Sequence, residues 1–341
     1  MIDVEKEQAV HEVKYLITGS YSFIYEVNFM KTLILDPIDS EALEYAIERL
    51  DIVDWRNVES KDYPIAEAVI VRTFKMTKEI MDQMPNLKII AKHGVGVDNI
   101  DLDYAKSKGI IVTNTPQANM NSVAEFVIAL ALNCARKVTM AHNMVKEGIE
   151  KNSPFELAGF ELQNKTVGLI GLGRIGTLVG TKLKAAFNTK VLVYDPYASE
   201  SICEKEGFIK CEHLDQVLKE SEIVSISVPL TKDTENLISA RELSLMKENA
   251  VLINTSRGKV INEKDLYDAL QQNKLFGAAI DAFAEEPVSK EHPLLTCNNF
   301  IGTPHNGANT RDALIRMGTE AVDEIVRLMS NEESLNRVVM S

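Results

Sequence analysis

The chain has 341 residues, 45% of them hydrophobic and 26% charged, with 37 basic against 50 acidic residues and a net charge of -13. Length and apolar content favour about two domains, each with its own core. A chain this acidic repels nucleic-acid backbones and anionic membrane surfaces, and no stretch approaches the roughly 20 apolar residues of a membrane span, so neither partner is expected.

Residues 1–29, MIDVEKEQAVHEVKYLITGSYSFIYEVNF, are acidic early and lack a basic start, so they are neither a signal nor a transit peptide. They read as an upstream start or a loosely packed extension. Met30 opens a strand in MKTLILD, and short apolar runs then alternate with helical periodicity. Strands are predicted at 32–35, 68–71, 87–91 and 110–112. Helices are predicted at 41–50, 77–84 and 102–107, with Thr77 as an N-cap. Short buried runs separated by helices predict a parallel sheet covered on both faces.

One long helix is predicted over 121–146, with Ser122 and Glu125 as a capping box. Its apolar positions exceed one face, which fits a core helix or one that also lines a subunit interface. A second alternating series follows. Its strands fall at 166–170, 190–194, 223–227, 250–254, 277–281 and 299–302. Its helices fall near 174–187, 212–220, 241–247 and 262–272, the last N-capped by Asn262. The final helix, 310–329, is predicted to return to the first half, because the C-terminal segment shows no strand of its own. The result is two α/β lobes, the larger inserted into the smaller, with a ligand cleft expected between them.

Cys134, Cys203, Cys211 and Cys297 are scattered, without a CxxC pair, and point to reduced thiols in a cytoplasmic protein. The six histidines form no metal-ligand pattern, so no metal is expected.

Thr166–Ile170 runs into Gly171-Leu-Gly-Arg-Ile-Gly176. Alone a GxGxxG is weak, but here it follows a strand and opens a helix. Gly171 would allow the tight turn, Gly173 would let backbone approach a pyrophosphate, and Gly176 would let helix pack on strand. The helix start at Arg174 and Ile175 would offer amide donors. A carboxylate should end the next strand about 20 positions on, and Asp195 stands there. It would accept ribose hydroxyls and repel a 2′-phosphate. No arginine follows at Pro196 or Tyr197, so NAD is predicted over NADP. The plain alternative is a Gly-rich turn with a solvated aspartate.

Arg257, Glu286 and His305 each follow a buried strand of this second series. An arginine there can clamp a carboxylate, or simply sit on a surface loop. Glu285 and Glu286 are equally at home as a solvated pair, and Asp281 as a structural strand end. Together, however, the three supply an anion clamp, a titrating acid/base and a carboxylate to orient it, which is the set that hydride transfer to a 2-keto acid requires.

At this point the sequence resembles the D-isomer-specific 2-hydroxyacid dehydrogenase family. HGVGVDNID (93–101), NTPQANMNSVAE (114–125), GLIGLGRIG (168–176), VPLTKDT (228–234), INTSRG (253–258), AAIDAFAEEP (278–287) and TPHNGA (303–308) fall in family order. The resemblance covers the chain from Met30 onward. It implies an NAD-binding Rossmann domain, 120–310, inserted into a flavodoxin-like substrate domain, 30–119 and 311–341. It implies that Arg257 binds the keto acid, that His305 is the proton donor and acceptor, and that Glu286 pairs with it. Cofactor contacts are implied at Gly171, Gly173, Arg174, Ile175, Gly176, Asp195, Pro229, Thr234 and Asp281. Substrate contacts are implied at Arg72, Val95, Gly96 and Arg257.

The resemblance also implies a homodimer through the 121–147 helix region. Some phosphoglycerate dehydrogenases of the family carry a further regulatory domain, but little chain follows the last helix here, so serine feedback of that type is not expected. Two departures stand out. Ser227 replaces the histidine many relatives carry before Val-Pro, and should loosen one cofactor contact. Ile149-Glu150-Lys151 stands where a tryptophan is usual. Formate dehydrogenases of the same fold generally carry Gln at the position of Glu286, which disfavours that activity. Within the family, the rival reading is an NAD(H)-sensing corepressor with little turnover. Arg72 and His93 are open candidates for reading a substrate side group, while Lys92 is expected to be solvated.

Overall fold

The computed structural model describes residues 29–153 and 155–338. The expectation for the leading segment therefore falls, Phe29 apart, outside the described residues. The chain forms two compact units. One comprises the described residues up to Pro116 and from Ile315 on, the other Gln117–Leu314.

In the first unit, strands β1 (Lys31–Ile34), β2 (Asp51–Val53), β3 (Ala68–Val71), β4 (Ile89–Lys92) and β5 (Ile111–Thr113) alternate with helices α1 (Ser40–Ile47), α2 (Lys78–Met81) and α3 (Leu102–Ser107). The strands pair in parallel in the order β2-β1-β3-β4-β5, the flavodoxin-like arrangement. Side chains alternate across the pleat. Ile34, Ile70 and Ile89 therefore face Ala42, Ala46 and the final helix's Val322 and Ile325, while Leu33, Val69 and Ile90 face Met76, Met81 and Met84. Each such Ile or Leu contributes about 1.5–3 kcal/mol.

Three sequence expectations change here. Strand β2 was not predicted, because three residues opening on Asp51 give no periodic signal. Thr77 stands at the N-cap of α2 but makes no side-chain cap bond, whereas Asp39 caps α1 by accepting from Glu41 N–H at 2.9 Å. The C-terminal segment does add to a sheet. Arg337 bridges Thr113 in antiparallel sense, and Val338 N–H donates to the Val112 carbonyl at 2.8 Å. An unpaired sheet edge takes up a passing chain in this way.

The second unit starts with α4 (Met120–Arg136) and α5 (Val138–Glu147), where one helix is predicted. Lys137, at φ +52°, breaks it. Asn133 accepts Thr139 N–H at 2.9 Å and donates to Thr139 Oγ1 at 2.8 Å, which satisfies the start of the new helix locally. Ser122 is no cap either: it lies inside α4, its hydroxyl 2.7 Å from that of Thr310, and Glu125 accepts from Asn121 instead.

Strands β6 (Thr166–Ile170), β7 (Lys190–Tyr194), β8 (Ile209–Lys210), β9 (Ile223–Ile226), β10 (Val251–Asn254), β11 (Gly277–Ile280) and β12 (Phe300–Gly302) follow, with helices α6 (Arg174–Phe187), α7 (Glu200–Glu206), α8 (Leu214–Glu220), α9 (Ala240–Leu245) and α10 (Glu263–Gln271). Asn262 does cap α10, accepting from Asp265 N–H at 3.1 Å. The two-residue β8 and the charged α7 escaped sequence reading because neither presents an apolar period. Helix α11 (Arg311–Met329) carries the chain from this unit back to the first. Among the described residues no helix is long and apolar enough to cross a membrane.

The seven strands are parallel in the order β12-β11-β10-β9-β6-β7-β8. The order of connection switches from one side of β6 to the other at β9, and open parallel sheets receive ligands outside the carboxyl ends of strands at such a switch point. Both faces are covered by apolar clusters.

Glu222 ties the amino ends of this sheet together. It accepts Thr166 N–H at 2.9 Å and Lys247 Nζ at 2.6 Å. Burial opposes its charge, but Lys247 and the Thr166 amide outweigh that and hold its carboxyl below the usual range. A depressed carboxyl contributes stability that is complete above its unfolded value and is lost as pH falls through the folded one. Glu222→Ala should therefore lower stability by about 2 kcal/mol at neutral pH, and the gap from wild type should close below about pH 4. Urea unfolding at both pH values measures this, and a gap that persists in acid would refute it.

Candidate active site

Loops at the carboxyl end of the second sheet hold most of the residues singled out by the sequence. The first is the glycine turn after β6. Gly171 has φ +93°, and a Cβ there would lie 2.8 Å from the Ser227 carbonyl, so the turn needs glycine and leans on the end of β9. A Cβ at Gly176 would fall 2.3 Å from the Gly171 carbonyl. At Gly173, by contrast, a Cβ would meet nothing within 4 Å. Gly173 therefore keeps open a space that even a methyl group would narrow, directly at the N-terminus of α6, which has no side-chain cap. Open space, exposed amides and helix dipole fit a pyrophosphate.

Asp195, at the end of β7, accepts Leu172 N–H and Tyr197 N–H, each at 2.8 Å. One oxygen thus braces the glycine turn and the other its own loop, and both keep a lone pair for a ribose. Pro229 and Thr234 close the turn after β9: Thr234 Oγ1 donates to the Pro229 carbonyl at 2.6 Å and accepts Thr231 N–H at 2.8 Å. The Ser227 hydroxyl is buried behind the glycine turn without a hydrogen-bond partner.

Three further loops follow β10, β11 and β12, which are neighbours in the sheet. Arg257 follows β10, and Asn254 shapes its turn. The Asn254 amide donates to the Arg257 carbonyl at 2.8 Å and accepts the Ser256 amide and hydroxyl at 3.0 and 2.7 Å. Asp281 follows β11, Glu286 lies further along the same loop, and His305 follows β12. His305 Nδ1 lies 3.0 and 3.2 Å from the two Glu286 oxygens. Its backbone is in the left-handed region at φ +52° and is held there, with His305 N–H donating to the Asp281 carbonyl at 2.8 Å. Such a conformation persists in a residue other than glycine when its surroundings fix it.

Asp281 was expected among the cofactor contacts. It is 1% exposed, and its oxygens accept Thr303 Oγ1, Asn306 N–H and Gly307 N–H at 2.6, 2.7 and 2.8 Å. Its work in this structure is to fold the turn that presents His305. Sequence reasoning did not identify Asn254 or Gly258 as builders of the site. A Cβ at Gly258 would lie 2.0 Å from the Phe283 carbonyl carbon, so the Arg257 turn and the Glu286 loop touch backbone to backbone. A buried polar residue ending an apolar strand was the available signal for Asn254. Nothing local signals the contact at Gly258.

Arg72, Val95 and Gly96 belong to the first unit. Asp36 accepts the backbone N–H groups of Arg72, Thr73 and Phe74 at 2.7, 3.0 and 2.9 Å and so fixes that loop. Val95 and Gly96 sit on a turn pinned by Thr115 Oγ1 to Gly94 N–H at 3.0 Å and by Asn114 Nδ2 to the Val95 carbonyl at 2.8 Å. Lys92 is not solvated as expected. It is 7% exposed, its ammonium bonded to the Arg72 carbonyl and to Asn99 Oδ1. His93 is buried too.

Residues 128–307 match the family model of the D-isomer specific 2-hydroxyacid dehydrogenase NAD binding domain. The chain is similar to D-3-phosphoglycerate dehydrogenase of Methanocaldococcus jannaschii, 38% identical over 91% of this chain but only 60% of that protein's length. It is 39% identical to hydroxypyruvate reductase of Thermotoga maritima, over 86% of this chain and 96% of that one. Its fold is similar to that of D-lactate dehydrogenase from Aquifex aeolicus complexed with NAD and lactic acid. There the TM-score is 0.78 and the identity 32%, over 91% of this chain and 99% of the other.

Proposed function

The chain belongs to the D-isomer specific 2-hydroxyacid dehydrogenase family, and from that membership we propose an NAD-dependent dehydrogenase that interconverts a small 2-keto acid and its 2-hydroxy acid. The substrate is of the glyoxylate, hydroxypyruvate or 3-phosphohydroxypyruvate class. One observation carries the proposal: His305 Nδ1 is held 3.0 Å from Glu286, one loop from Arg257, at the carboxyl edge of the sheet that bears the glycine turn. The similar proteins are named as dehydrogenases and reductases, which favours catalysis over a sensor role.

Gly171, Gly173, Gly176 and the amides at Arg174 and Ile175 hold the pyrophosphate, and Asp195 takes the ribose hydroxyls and repels a 2′-phosphate. NADH, when bound, supplies the hydride. Arg257 grips the substrate carboxylate. With Nδ1 engaged by Glu286, His305 presents Nε2, which gives a proton to the carbonyl oxygen in reduction and recovers it in oxidation. Glu286 fixes the ring and stabilises the imidazolium. Arg72 is the first unit's candidate for reading a charged side group.

NADH oxidation against glyoxylate, pyruvate, hydroxypyruvate and its phosphate, oxaloacetate and sulfopyruvate tests the proposal, with NADPH as control. Turnover with NADH and at least one keto acid is expected, and a phosphate or sulfonate preference would support Arg72. Binding of NADH without turnover on any of them would overturn it.

We also propose a homodimer through the 121–147 region. Val138 and Val145 of α5, with Ile149 and Phe155 just beyond, are exposed large apolar side chains close together in sequence. Sedimentation should give twice the chain mass, and Val145→Glu should lower it. A monomeric wild type would refute the dimer. The four cysteines are free and buried, and burial pushes the Cys134 thiol up to about 12, which supports a cytoplasmic protein of inert thiols.

A further inference from the structure

A second histidine–carboxylate pair lies beneath the first. His292 Nε2 is 3.2 Å from Glu263 Oε2, with side chains 22% and 16% exposed, against 49% and 39% for His305 and Glu286. The two pairs share one stretch of backbone. Phe283 N–H donates to Glu286 Oε1 at 3.0 Å, and the next amide, Ala284 N–H, donates to Glu263 Oε1 at 2.7 Å. The His292 ring also packs edge-on against Phe283, centroids 5.4 Å apart. Glu263 is the first residue of α10, where the helix dipole favours a carboxylate.

We infer that Glu263 and His292 are positioning residues that hold the 282–286 loop, and through it the Glu286 carboxylate, in register with His305. The inference rests on the roles of Glu286 and His305 proposed above. Its logic is mechanical. Glu286 is oriented by an amide of its own loop, so its aim is only as fixed as that loop. Glu263 anchors the adjacent amide to a helix, and His292 anchors Glu263 while bracing Phe283. Remove His292, and Glu263 turns to water, releases Ala284 N–H and frees the loop to swing Glu286 away. Neither residue touches the reacting atoms.

The test compares wild type, His292→Ala and His292→Gln. The first readout is hydrogen exchange of the Phe283 and Ala284 amides in cofactor-free protein. The second is kcat and KM with NADH and the best keto acid. His292→Ala should speed exchange of both amides about tenfold and lower kcat by about tenfold, with the KM for NADH within about twofold. His292→Gln, whose amide reaches Glu263 from the same position as Nε2, should restore both. Wild-type exchange in the Ala variant, or equal defects in the Ala and Gln variants, would overturn the inference. Should His292→Ala not fold, His292→Asn, whose amide falls short of Glu263, is read in its place. If the wild type turns over no keto acid, the proposed function fails while exchange still decides what the pair does.

Discussion

His305→Gln should retain NADH binding and lose kcat by about 10²–10⁴-fold, the usual contribution of a positioned general acid. Glutamine keeps the polarity and much of the volume of the ring but cannot deliver a proton. The fold should be undisturbed, because the His305 turn is built by Asp281, Thr303 and the backbone, not by the imidazole. Fluorescence titration with NADH beside steady-state turnover separates the two effects. Undiminished turnover by the variant would remove His305 from the chemistry.

Arg257→Gln carries the second large effect. A guanidinium offers a carboxylate two parallel donors and a full charge, and an amide offers neither. Losing one partner of a desolvated ion pair costs about 2–5 kcal/mol, so kcat/KM for the keto acid should fall by about 30- to 5,000-fold. NADH affinity should stay near wild type. Arg257→Lys should recover little, because it restores charge without the fork. If either variant loses NADH binding in step with turnover, Arg257 is holding the loop and not the substrate. The Arg257 guanidinium itself donates to the Ser256 carbonyl at 2.9 Å, but Asn254 and Gly258 also shape the turn, and NADH affinity reads the loop apart from the substrate.

Much of this was legible in the sequence because the signals are local. Buried runs such as Val251–Asn254 and Gly277–Ile280 mark central parallel strands. GLGRIG between a strand and a helix fixes its own geometry, since Gly171 and Gly176 sit where side chains would collide. Other elements escaped for want of such a signal. The break at Lys137 depends on Asn133 reaching Thr139, a bond that competes with an uninterrupted helix and has no apolar period to announce it.

The sequence by itself determined the alternation of strand and helix, the glycine turn with its acid at Asp195, and the three polar residues placed after strands. Local propensity and spacing suffice for these. Tertiary structure alone decided the strand order that makes β10, β11 and β12 neighbours, and with it the 3.0 Å meeting of His305 with Glu286 across 19 positions of chain. It also decided that Lys92 is buried, that Asp281 folds a turn, and that Gly258 carries one loop against another. The physical reason is common to all of them. Such contacts join groups far apart in sequence, so their geometry depends on how whole strands stack, and no short window of residues contains that information.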